Sequence, residues 1–387
     1  MRFLKYVLTI TFYVIIFSSC KKNIQSPSKT IFPKTFSEIF NVFWNNMNTN
    51  YVYWDIDTTN WNNVYNVYKP AFAKLDINNP NDVQQSVIYF RQMTAGIIDS
   101  HYNISFTASS IANKVVFPAL DRKLLNPTFH SPFLYTSIDT INYIDENYIS
   151  GNFISTSNKE SIYALSGTIH NNILYFYCNG FALQEAYQSR SANSVQSVLK
   201  YFFNTLANLS PRIKGIIIDV RNNSGGNIED LNFFLGRLIV KPLQFGYTRY
   251  KSGNGKLQYT PWINASVLPQ TGAKAINIPI IALADNYSIS LAEAITMAIH
   301  AMPNGTFVGE TTWGATGPIT NNSIYNDGQF TVGDFLSVYT SSAEFKYIDG
   351  KSYEGKGFPP DINVPYNFNL LYNGIDVQLE KAINLIK

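Results

Sequence analysis

One segment of the 387-residue chain places a serine where it could act as a nucleophile. Ser290 follows a predicted buried strand and directly precedes a predicted helix that begins at Leu291. The dipole at the start of a helix favours negative charge, and a serine at such a strand-to-helix junction resembles the strained elbow of serine hydrolases. Ser290-x-x-Glu293 also fits a capping box, which would stabilise the helix by about 1 kcal/mol. The segment therefore predicts either a nucleophile or a helix cap.

A second segment could supply backbone N–H groups to a developing oxyanion. Residues 216–227, IIIDVRNNSGGN, predict a buried strand that enters a polar turn containing Gly225 and Gly226. Glycine tolerates positive φ and leaves the backbone uncovered, as an oxyanion hole requires. A tight strand-to-helix turn would need the same two glycines. The turn does not indicate a phosphate site, because it lacks both the G-x-G-x-x-G spacing and a Walker lysine.

A third segment contains a histidine that could act as the base for a serine nucleophile. Histidine is the side chain that titrates nearest neutrality, so it is the usual partner of such a serine. His101 lies in Asp99-Ser100-His101, where polar neighbours could orient its ring. We interpret the other histidines as surface or packing residues: His130, His170 and His300.

The elements that must position these segments alternate between strand and helix after residue 166. Short apolar runs predict buried strands at NILYFYC, KGIIIDV, IPIIALAD and TFVGE. Helices are predicted over residues 195–206 and 291–302. A further helix is predicted from an apolar stripe at Leu231, Phe234, Leu235 and Leu238. This alternation indicates an α/β core over residues 166–387.

Two segments precede this core. Residues 35–106 have apolar residues at helical spacing and a predicted helix start at Asn79-Pro80, so we expect an N-terminal helical domain. Residues 107–165 contain short runs rich in Tyr and Ile that are punctuated by Pro, Ser, Thr and Asn. These runs predict a small β-rich insert of short strands joined by turns.

The N-terminus has the layout of a secretory signal over residues 1–19. Two basic residues precede an apolar run that is too short for a confident membrane span. Ser18-Ser19-Cys20 resembles a bacterial lipobox, which makes Cys20 the predicted lipidation site and residues 20–34 a polar tether. An uncleaved short anchor, or an ordinary signal in which the cysteine is incidental, are the alternatives. The predicted location is the cell envelope, with a lipid anchor in the outer membrane and either face of that membrane open.

The composition favours a folded protein and excludes several classes. Charged residues make up 14% and aromatic residues 15% of the chain, which argues against disorder. The chain has 29 basic and 26 acidic residues. Removal of the predicted signal would take away Arg2 and Lys5, which leaves 27 basic residues and a net charge near zero. Nucleic acid is therefore not an expected partner. Two cysteines exclude a disulfide framework, and we interpret Cys178 as a buried small hydrophobe. No cluster has metal-ligand spacing, so neither a metal nor a cofactor is predicted.

In their order and spacing the motifs resemble the tail-specific, or carboxyl-terminal processing, protease family of serine peptidases. The resemblance rests on DSH, DVRNNSGG, SISLAE, VGETTWGATG and EGKGFPPDINV, and it covers residues 36–385 except for about 107–165. It implies a crotonase-like α/β core. The processing proteases use a lysine base in the G-K-G that follows V-G-E-x-T-x-G, and Ala315 occupies that position here. The sequence is therefore more similar to the tricorn-like branch, which uses a histidine preceded by a serine.

The resemblance implies a catalytic set and an oxyanion hole. The implied catalytic residues are a nucleophile, its base and two groups that orient or polarise their surroundings: Ser290, His101, Ser100 and Glu354. The implied oxyanion donors are backbone N–H groups: Gly225 or Gly226, together with Leu291.

We therefore expect a serine-type peptidase that hydrolyses peptide bonds of proteins or peptides in the bacterial envelope. Two alternatives use the same fold. One is a catalytically inactive lipoprotein that binds peptides or glycans, and the other is an esterase. The sequence leaves the natural substrate and the oligomeric state open.

Overall fold

The computed structural model describes residues 32–130, 142–157, 159–320 and 328–386, and these contain helices and strands in mixed order. The helices are α1 (Phe36–Asn50), α2 (Trp61–Phe72), α3 (Pro80–Thr94), α4 (Pro118–Lys123), α5 (Leu183–Gln188), α6 (Ser194–Ala207), α7 (Leu291–His300), α8 (Phe368–Tyr372) and α9 (Val377–Ile386). A π-helical turn spans Leu231–Leu235. The strands are β1 (Asn103–Phe106), β2 (Val115–Val116), β3 (Ile149–Ile154), β4 (Ser161–Ile169), β5 (Ile173–Cys178), β6 (Gly215–Asp219), β7 (Leu243–Tyr250), β8 (Ile263–Val267), β9 (Ile280–Ala284), β10 (Gly305–Gly309), β11 (Gln329–Val332), β12 (Leu336–Tyr339), β13 (Ala343–Tyr347) and β14 (Ile362–Asn363).

A seven-stranded sheet in the order β14-β10-β9-β6-β5-β4-β3 forms the centre of the core. Strands β14 to β5 of that order run parallel, and β4 and β3 extend the sheet in antiparallel fashion. Every residue of β5, β6 and β9 is buried, as short apolar runs in a two-sided sheet predict. Asp219 at the end of β6 pairs with Leu283 near the end of β9. The turns that leave these two strands therefore start side by side at one edge of the sheet.

Helices cover both faces of this sheet. Ile216 and Ile218 of β6 join a core cluster that includes the apolar residues of α6 and α7, whereas Ile217 joins a second cluster that includes those of α9. This alternation follows from the two-residue period of a strand. The predicted α/β core is confirmed, with its predicted strands at β5, β6, β9 and β10 and its predicted helices at α6 and α7.

The helix predicted from the stripe at residues 231–238 is wrong in length, since only the π-helical turn forms there. The chain turns at Gly236, whose N–H donates to the Asn232 carbonyl at 3.0 Å. A Cβ atom at Gly236 would lie 2.4 Å from the carbonyl oxygen of Leu268. The chain therefore approaches Leu268 closely where the π-helical turn ends, and glycine is the residue that fits this approach.

The N-terminal helices α1, α2 and α3 pack around an aromatic core, and Asn79 caps α3 with Pro80 at its first position, as predicted. This core is not closed by the helices themselves. It also contains residues of the four-stranded sheet β11-β12-β1-β2, and the rings of Phe36 and Phe335 meet edge to face at 5.5 Å. Late strands of the chain therefore complete the core of the N-terminal helical segment.

The β-rich insert predicted over residues 107–165 does not form a sheet of its own in the part of the chain that the structure describes. Its strand β2 pairs with β1, and its strand β3 pairs with β4 at the edge of the central sheet. Between them lies the short helix α4. Residues 161–165 of β4, which pair with β3, lie within the predicted insert, so the short strands form as predicted. The insert does not stand alone because β4 also pairs with β5 of the core, and local sequence does not determine that partner. The predicted domain boundaries themselves stay a prediction.

A buried ion cluster fixes the turn after β6 and the C-terminal helix α9. Arg221 is fully buried, and its guanidinium donates to Asp219 at 2.6 Å and to Asp376 at 2.8 Å. Tyr175 on β5 donates to the same Asp219 carboxylate at 2.8 Å. A third sheet, β13-β7-β8, lies outside this cluster. Among the helices the structure describes, none combines the length and apolar character needed to cross a bilayer.

Candidate active site

Ser290 occupies a strained position between β9 and α7. Its backbone has φ 58° and ψ −114°, a conformation that L residues with a side chain rarely adopt and that costs about 1–3 kcal/mol. Two hydrogen bonds hold it there: Ile289 N–H donates to the Asn223 carbonyl at 2.9 Å, and Ser290 N–H donates to the Glu293 carboxylate at 3.1 Å. Strain of this kind, fixed by its surroundings, is found at functional sites.

The capping interpretation of Ser290-x-x-Glu293 describes part of this junction. The two residues are arranged as a capping box, in which the Glu293 carboxylate accepts from Ser290 N–H. Glu293 N–H donates to the Ser290 carbonyl oxygen at 2.9 Å, and the Ser290 hydroxyl makes no side-chain capping hydrogen bond. The nucleophile and cap interpretations are therefore compatible, because Glu293 does the capping and leaves the hydroxyl at the start of α7.

The glycine turn after β6 lies against Ser290. A Cβ atom at Gly225 would be 2.8 Å from the Ser290 Cβ and 3.0 Å from the Leu291 nitrogen, so only glycine fits this contact. Gly225 and Gly226 have positive φ values of 89° and 141°. The Gly225 N–H already donates to Asn223 Oδ1 at 2.8 Å. The N–H groups of Gly226 and Leu291 have no hydrogen-bond partner among the described residues, so they are the two predicted oxyanion donors that remain available.

A buried carboxylate that sequence reasoning treated only as a cap joins the nucleophile helix to the loop after β10. Glu293 accepts from Thr312 Oγ1 at 2.6 Å, from Gly314 N–H at 2.6 Å and from Ala315 N–H at 2.7 Å. Burial raises the pKa of Glu293, and these hydrogen bonds act in the opposite direction. The S-x-x-E spacing indicated Glu293 as a capping residue. No local pattern indicated that it also binds the loop some 20 residues downstream.

His101 is held by Asp99, one of the polar neighbours predicted from the sequence, and by Ser341, which sequence reasoning did not select. Asp99 is fully buried and accepts from His101 N–H at 2.8 Å, from Thr340 Oγ1 at 2.7 Å and from Ser341 N–H at 2.7 Å. The Ser341 hydroxyl donates to Asp99 at 3.0 Å and lies 3.4 Å from His101 Nδ1. Ser341 therefore connects the buried charge of Asp99 to the imidazole. No local pattern around Thr340 and Ser341 indicated this, because they meet Asp99 only through the pairing of β1 with β12.

The surroundings keep the imidazole of His101 neutral near neutral pH. Burial lowers the pKa of His101 below its ordinary value of 6.5, and the negative charge of Asp99 acts in the opposite direction. A neutral imidazole is the form that can accept a proton from a serine. The direction of the pKa shift therefore suits a general base.

Glu354 and Ser100 form a contact, but neither side chain hydrogen-bonds to His101. Glu354 is buried and accepts from Ser100 N–H at 2.7 Å, from Tyr53 OH at 2.9 Å and from Gly317 N–H at 2.9 Å. Burial, followed by the charge of Asp99, raises the pKa of Glu354. The Ser100 hydroxyl is buried and has no hydrogen-bond partner among the residues the structure describes. The orienting roles expected of Ser100 and Glu354 stay predictions, and the observed direct contacts to His101 come from Asp99 and Ser341.

The loop over residues 312–317 connects the two halves of the site. Its first half binds Glu293, which holds Ser290, and its second half binds Glu354, which holds the turn before His101. No hydrogen bond joins the Ser290 hydroxyl to the His101 imidazole in the structure. Catalytic hydrogen bonds are often long in the absence of substrate and tighten in the complex.

Other candidate groups lie in separate environments. Cys178 is a buried free thiol whose pKa is raised by burial, in agreement with its interpretation as a packing residue. His300 contacts Tyr347 and Asp361, and His130 contacts Glu310 at 2.8 Å. Across the described ranges, no three His, Cys, Asp or Glu side chains are grouped so that they could hold a metal ion.

Comparison with known proteins finds a peptidase family that matches part of this chain. Residues 175–364 match the model of peptidase family S41. That range contains the glycine turn, Ser290 and Glu354 and begins after His101. The tricorn protease of Thermoplasma volcanium is 30% identical over 172 residues, which are 44% of this chain and 14% of the relative. The carboxy-terminal processing protease CtpA of Bacillus subtilis is 26% identical over 149 residues, which are 38% of this chain and 28% of the relative. The chain thus spans well under a third of either relative's length.

A solved structure shares the fold beyond the family match. The crystal structure of a Parabacteroides merdae protein assigned as a peptidase superposes with a TM-score of 0.69 at 21% sequence identity. The likeness covers 92% of this chain and 97% of the other. The fold is therefore shared over the N-terminal helices as well as the central sheet.

Proposed function

We propose that this chain, whose residues 175–364 match peptidase family S41, is a serine-type peptidase acting on peptide bonds of proteins or peptides. One observation carries the proposal. Ser290 is held in a strained conformation at the start of α7, beside the N–H groups of Gly226 and Leu291, which have no partner in the described part of the chain. Backbone strain and unpaired N–H donors each lower the stability of the folded chain. Their occurrence together is typical of a nucleophile next to an oxyanion hole.

In the proposed reaction the Ser290 hydroxyl attacks the peptide carbonyl carbon and gives its proton to neutral His101. The carbonyl oxygen becomes an oxyanion and accepts hydrogen bonds from the N–H groups of Gly226 and Leu291. Collapse of the intermediate breaks the C–N bond, and the imidazolium of His101 returns its proton to the leaving amine. Water then attacks the acyl-serine by the same steps and releases the acid.

The magnitudes of these effects make the proposal testable. A positioned base contributes about 10²–10⁴-fold to the rate, and one oxyanion donor about 10²–10³-fold. Loss of either should leave little turnover. The buried charge of Asp99 would stabilise the imidazolium of His101 through Ser341, because opposite charges attract strongly where water is excluded.

The experiment is labelling of the purified protein with a fluorophosphonate, followed by intact-mass detection and peptide mapping. We expect one adduct, on Ser290, and resistance to labelling in the Ser290→Ala and His101→Ala variants. Ser224→Ala is a matched control, since Ser224 is an exposed serine in the neighbouring glycine turn and its loss should leave labelling unchanged. An adduct on another residue, or equal labelling of the Ser290→Ala variant, would contradict the assignment.

A substrate panel separates the kinds of hydrolase. Casein, a peptide library and a p-nitrophenyl ester would each be incubated with the wild-type protein and with Ser290→Ala. Cleavage of peptides that depends on Ser290 is the expected result. Turnover of the ester together with no cleavage of any peptide would replace the peptidase by an esterase.

A protein that binds peptides or glycans without cleaving them is the second candidate. The observation in its favour is that no hydrogen bond joins Ser290 to His101. It predicts that neither fluorophosphonate nor substrate reacts, while peptides or glycans still bind. A structure of the inhibitor-bound form decides between the two, because the peptidase requires His101 within about 2.6–3.2 Å of the reacting oxygen.

We also infer that the protein is a lipoprotein of the cell envelope, anchored through Cys20. The support is the sequence of residues 1–20, which lie outside the residues the structure describes. The test is metabolic labelling with an alkyne fatty acid in cells that express the wild-type chain or the Cys20→Ala variant. Incorporation that persists in Cys20→Ala, or its absence from the wild-type chain, would remove the anchor.

A further inference from the structure

A cavity of about 280 Å³ lies beside the turn that carries His101. The residues that line it come from the Asp99-Ser100-His101 turn, from α4 and the residues after it, and from the loop after Glu354. They include Ser100, Arg122, Lys123, Asn126, Gly355 and Lys356. The volume is at the lower limit of ligand pockets and suits one or two amino-acid residues rather than a large ligand.

Three cationic side chains line this cavity. None of Arg122, Lys123 and Lys356 forms an ion pair with a carboxylate among the described residues. Burial lowers the pKa of both Arg122 and Lys123, so the positive charges are partly desolvated. Like charges brought together with little solvent repel one another unless an anion compensates them.

The carboxylates nearest to these cations are already engaged elsewhere. Asp121 pairs with Arg91, and Asp57 accepts from Tyr51 OH at 2.6 Å and from Ile98 N–H at 3.0 Å. Asp57 is also buried. These acids can reduce the repulsion at a distance, but they cannot turn towards the cavity without losing those partners.

The two carboxylates near the proposed active site are also held by other partners. Glu293 and Glu354 attract the charge of Lys123, yet each is held by backbone N–H donors of the loop over residues 312–317. Arg122 donates to the Ala95 carbonyl at 2.8 Å. Within the described part of the chain, no carboxylate is therefore placed to pair with the three cations at the cavity.

The cavity is adjacent to the proposed active site. Ser100 directly precedes His101, and Gly355 directly follows Glu354. The Lys123 ammonium lies 4.7 Å from the centre of the Trp313 ring. The backbone N–H of Trp313 donates to the carbonyl of Ser288, two residues before Ser290, at 3.1 Å. A peptide bound at Ser290 could thus place a neighbouring group in this cavity.

We propose that this cavity binds a carboxylate group of the peptide substrate through Arg122, Lys123 and Lys356. The proposal rests on the proposed function, since it names the substrate class of that site. Carboxylates and cationic donors form charge-assisted hydrogen bonds, which are about twice as strong as neutral ones. The Ser100 hydroxyl is buried beside the cavity, has no partner in the described part of the chain, and is a further donor at the inner wall. The carboxylate comes from an acidic side chain or from the C-terminus of the peptide.

The test measures binding to the folded Ser290→Ala variant, so that its result does not depend on cleavage. The probes are a positional library of octapeptides in two matched series. In one series the C-terminus is amidated and Glu is exchanged for Gln at each position. In the other no acidic side chain is present and the free acid is compared with the amide. We expect one position to favour the carboxylate by about tenfold or more in affinity.

Two substitutions in the cavity should remove this preference. Lys123→Met keeps the apolar stem that covers Trp313, and Lys356→Gln changes an exposed residue, so both should fold. We expect the ratio of affinities to fall below about threefold in the double variant. Lys351→Gln is the matched control, because Lys351 is a lysine nearby in sequence whose side chain is 73% exposed and which does not line the cavity.

Each outcome decides the proposal. Preference for Glu over Gln that is lost in the double variant supports a side-chain carboxylate, and preference for the free acid that is lost there supports the C-terminus. Absence of any preference, absence of any binding, or a preference that the double variant retains would overturn it. Failure of fluorophosphonate labelling would instead count against the proposed chemistry at Ser290, so the two failures are distinguishable.

Discussion

Replacing Asp99 by asparagine should slow the reaction of Ser290, although Asp99 bonds to His101 only through the backbone and through Ser341. The Asp99 carboxylate is fully buried and accepts four hydrogen bonds, from His101 N–H, Thr340 Oγ1, and the N–H and hydroxyl of Ser341. Asparagine has nearly the same size. It removes the negative charge and replaces one of the two acceptor oxygens by a donor.

The size of the effect follows from two distances. Ser341 Oγ lies 3.0 Å from Asp99 Oδ1 and 3.4 Å from His101 Nδ1. The carboxylate oxygen is therefore within about 6.4 Å of the ring nitrogen, where two unit charges interact by about 2.6 kcal/mol at an effective dielectric constant of about 20. Loss of that attraction in the transition state corresponds to about 80-fold in rate.

The pH dependence of the reaction should change in a defined direction. Labelling requires the neutral imidazole, so the rate rises with pH through the pKa of His101. Burial lowers that pKa below 6.5 and the charge of Asp99 raises it, so the wild-type acid limb should lie below pH 6.5. In Asp99→Asn the raising contribution is lost. The acid limb should then move to lower pH while the plateau rate falls.

The assay is the second-order rate constant for fluorophosphonate labelling as a function of pH, with thermal melting to verify folding. Asp145→Asn is the matched control, because Asp145 accepts from Thr168 Oγ1 at 2.6 Å and Asn171 N–H at 2.8 Å at the β4–β5 turn. That turn lies at the edge where β5 and β6 begin, opposite to the site. Ser341→Ala keeps the charge and removes only the bridging hydroxyl, so its loss of rate should be smaller.

The reasoning would be refuted by a folded Asp99→Asn protein that labels at the wild-type rate with an unchanged acid limb. Equal losses in Asp99→Asn and Asp145→Asn would also refute it, since they would indicate a general cost of removing a hydrogen-bonded carboxylate rather than an effect on His101.

Two further substitutions test the elements that support the site. Gly226→Ala should lower the labelling rate by about 10²-fold or more, because φ is 141° there and the new Cβ would meet the Phe181 carbonyl oxygen at 2.1 Å, which displaces an oxyanion donor. Normal labelling of a folded Gly226→Ala protein would exclude that N–H as a donor. Arg221→Met should lower the free energy of unfolding by about 3–5 kcal/mol, measured by urea denaturation, because Asp219 and Asp376 would stay buried without their partner. A loss under about 1 kcal/mol would show that the two carboxylates become solvated or protonated at little cost.

Much of the core was predictable because its signals are local. The all-apolar runs of β5, β6 and β9 have no polar face to expose, so they require a sheet covered on both sides. The apolar stripe over residues 231–238 predicted a helix, but it could not show that the helical segment is a π-helical turn over Leu231–Leu235, close to Leu268 some 30 positions away.

The strand-to-helix order of the core, the serine at the start of α7 and the glycines of the neighbouring turn follow from local sequence patterns. Those properties depend on side-chain size, polarity and backbone freedom over a few neighbouring residues. Three contacts depend on the folded chain. Asn223 Oδ1 accepts from the Gly225 N–H, and Ser341 lies between Asp99 and His101. One loop binds both Glu293 and Glu354. Each of these contacts depends on the distances that folding sets between separate segments, and no local pattern encodes such a distance.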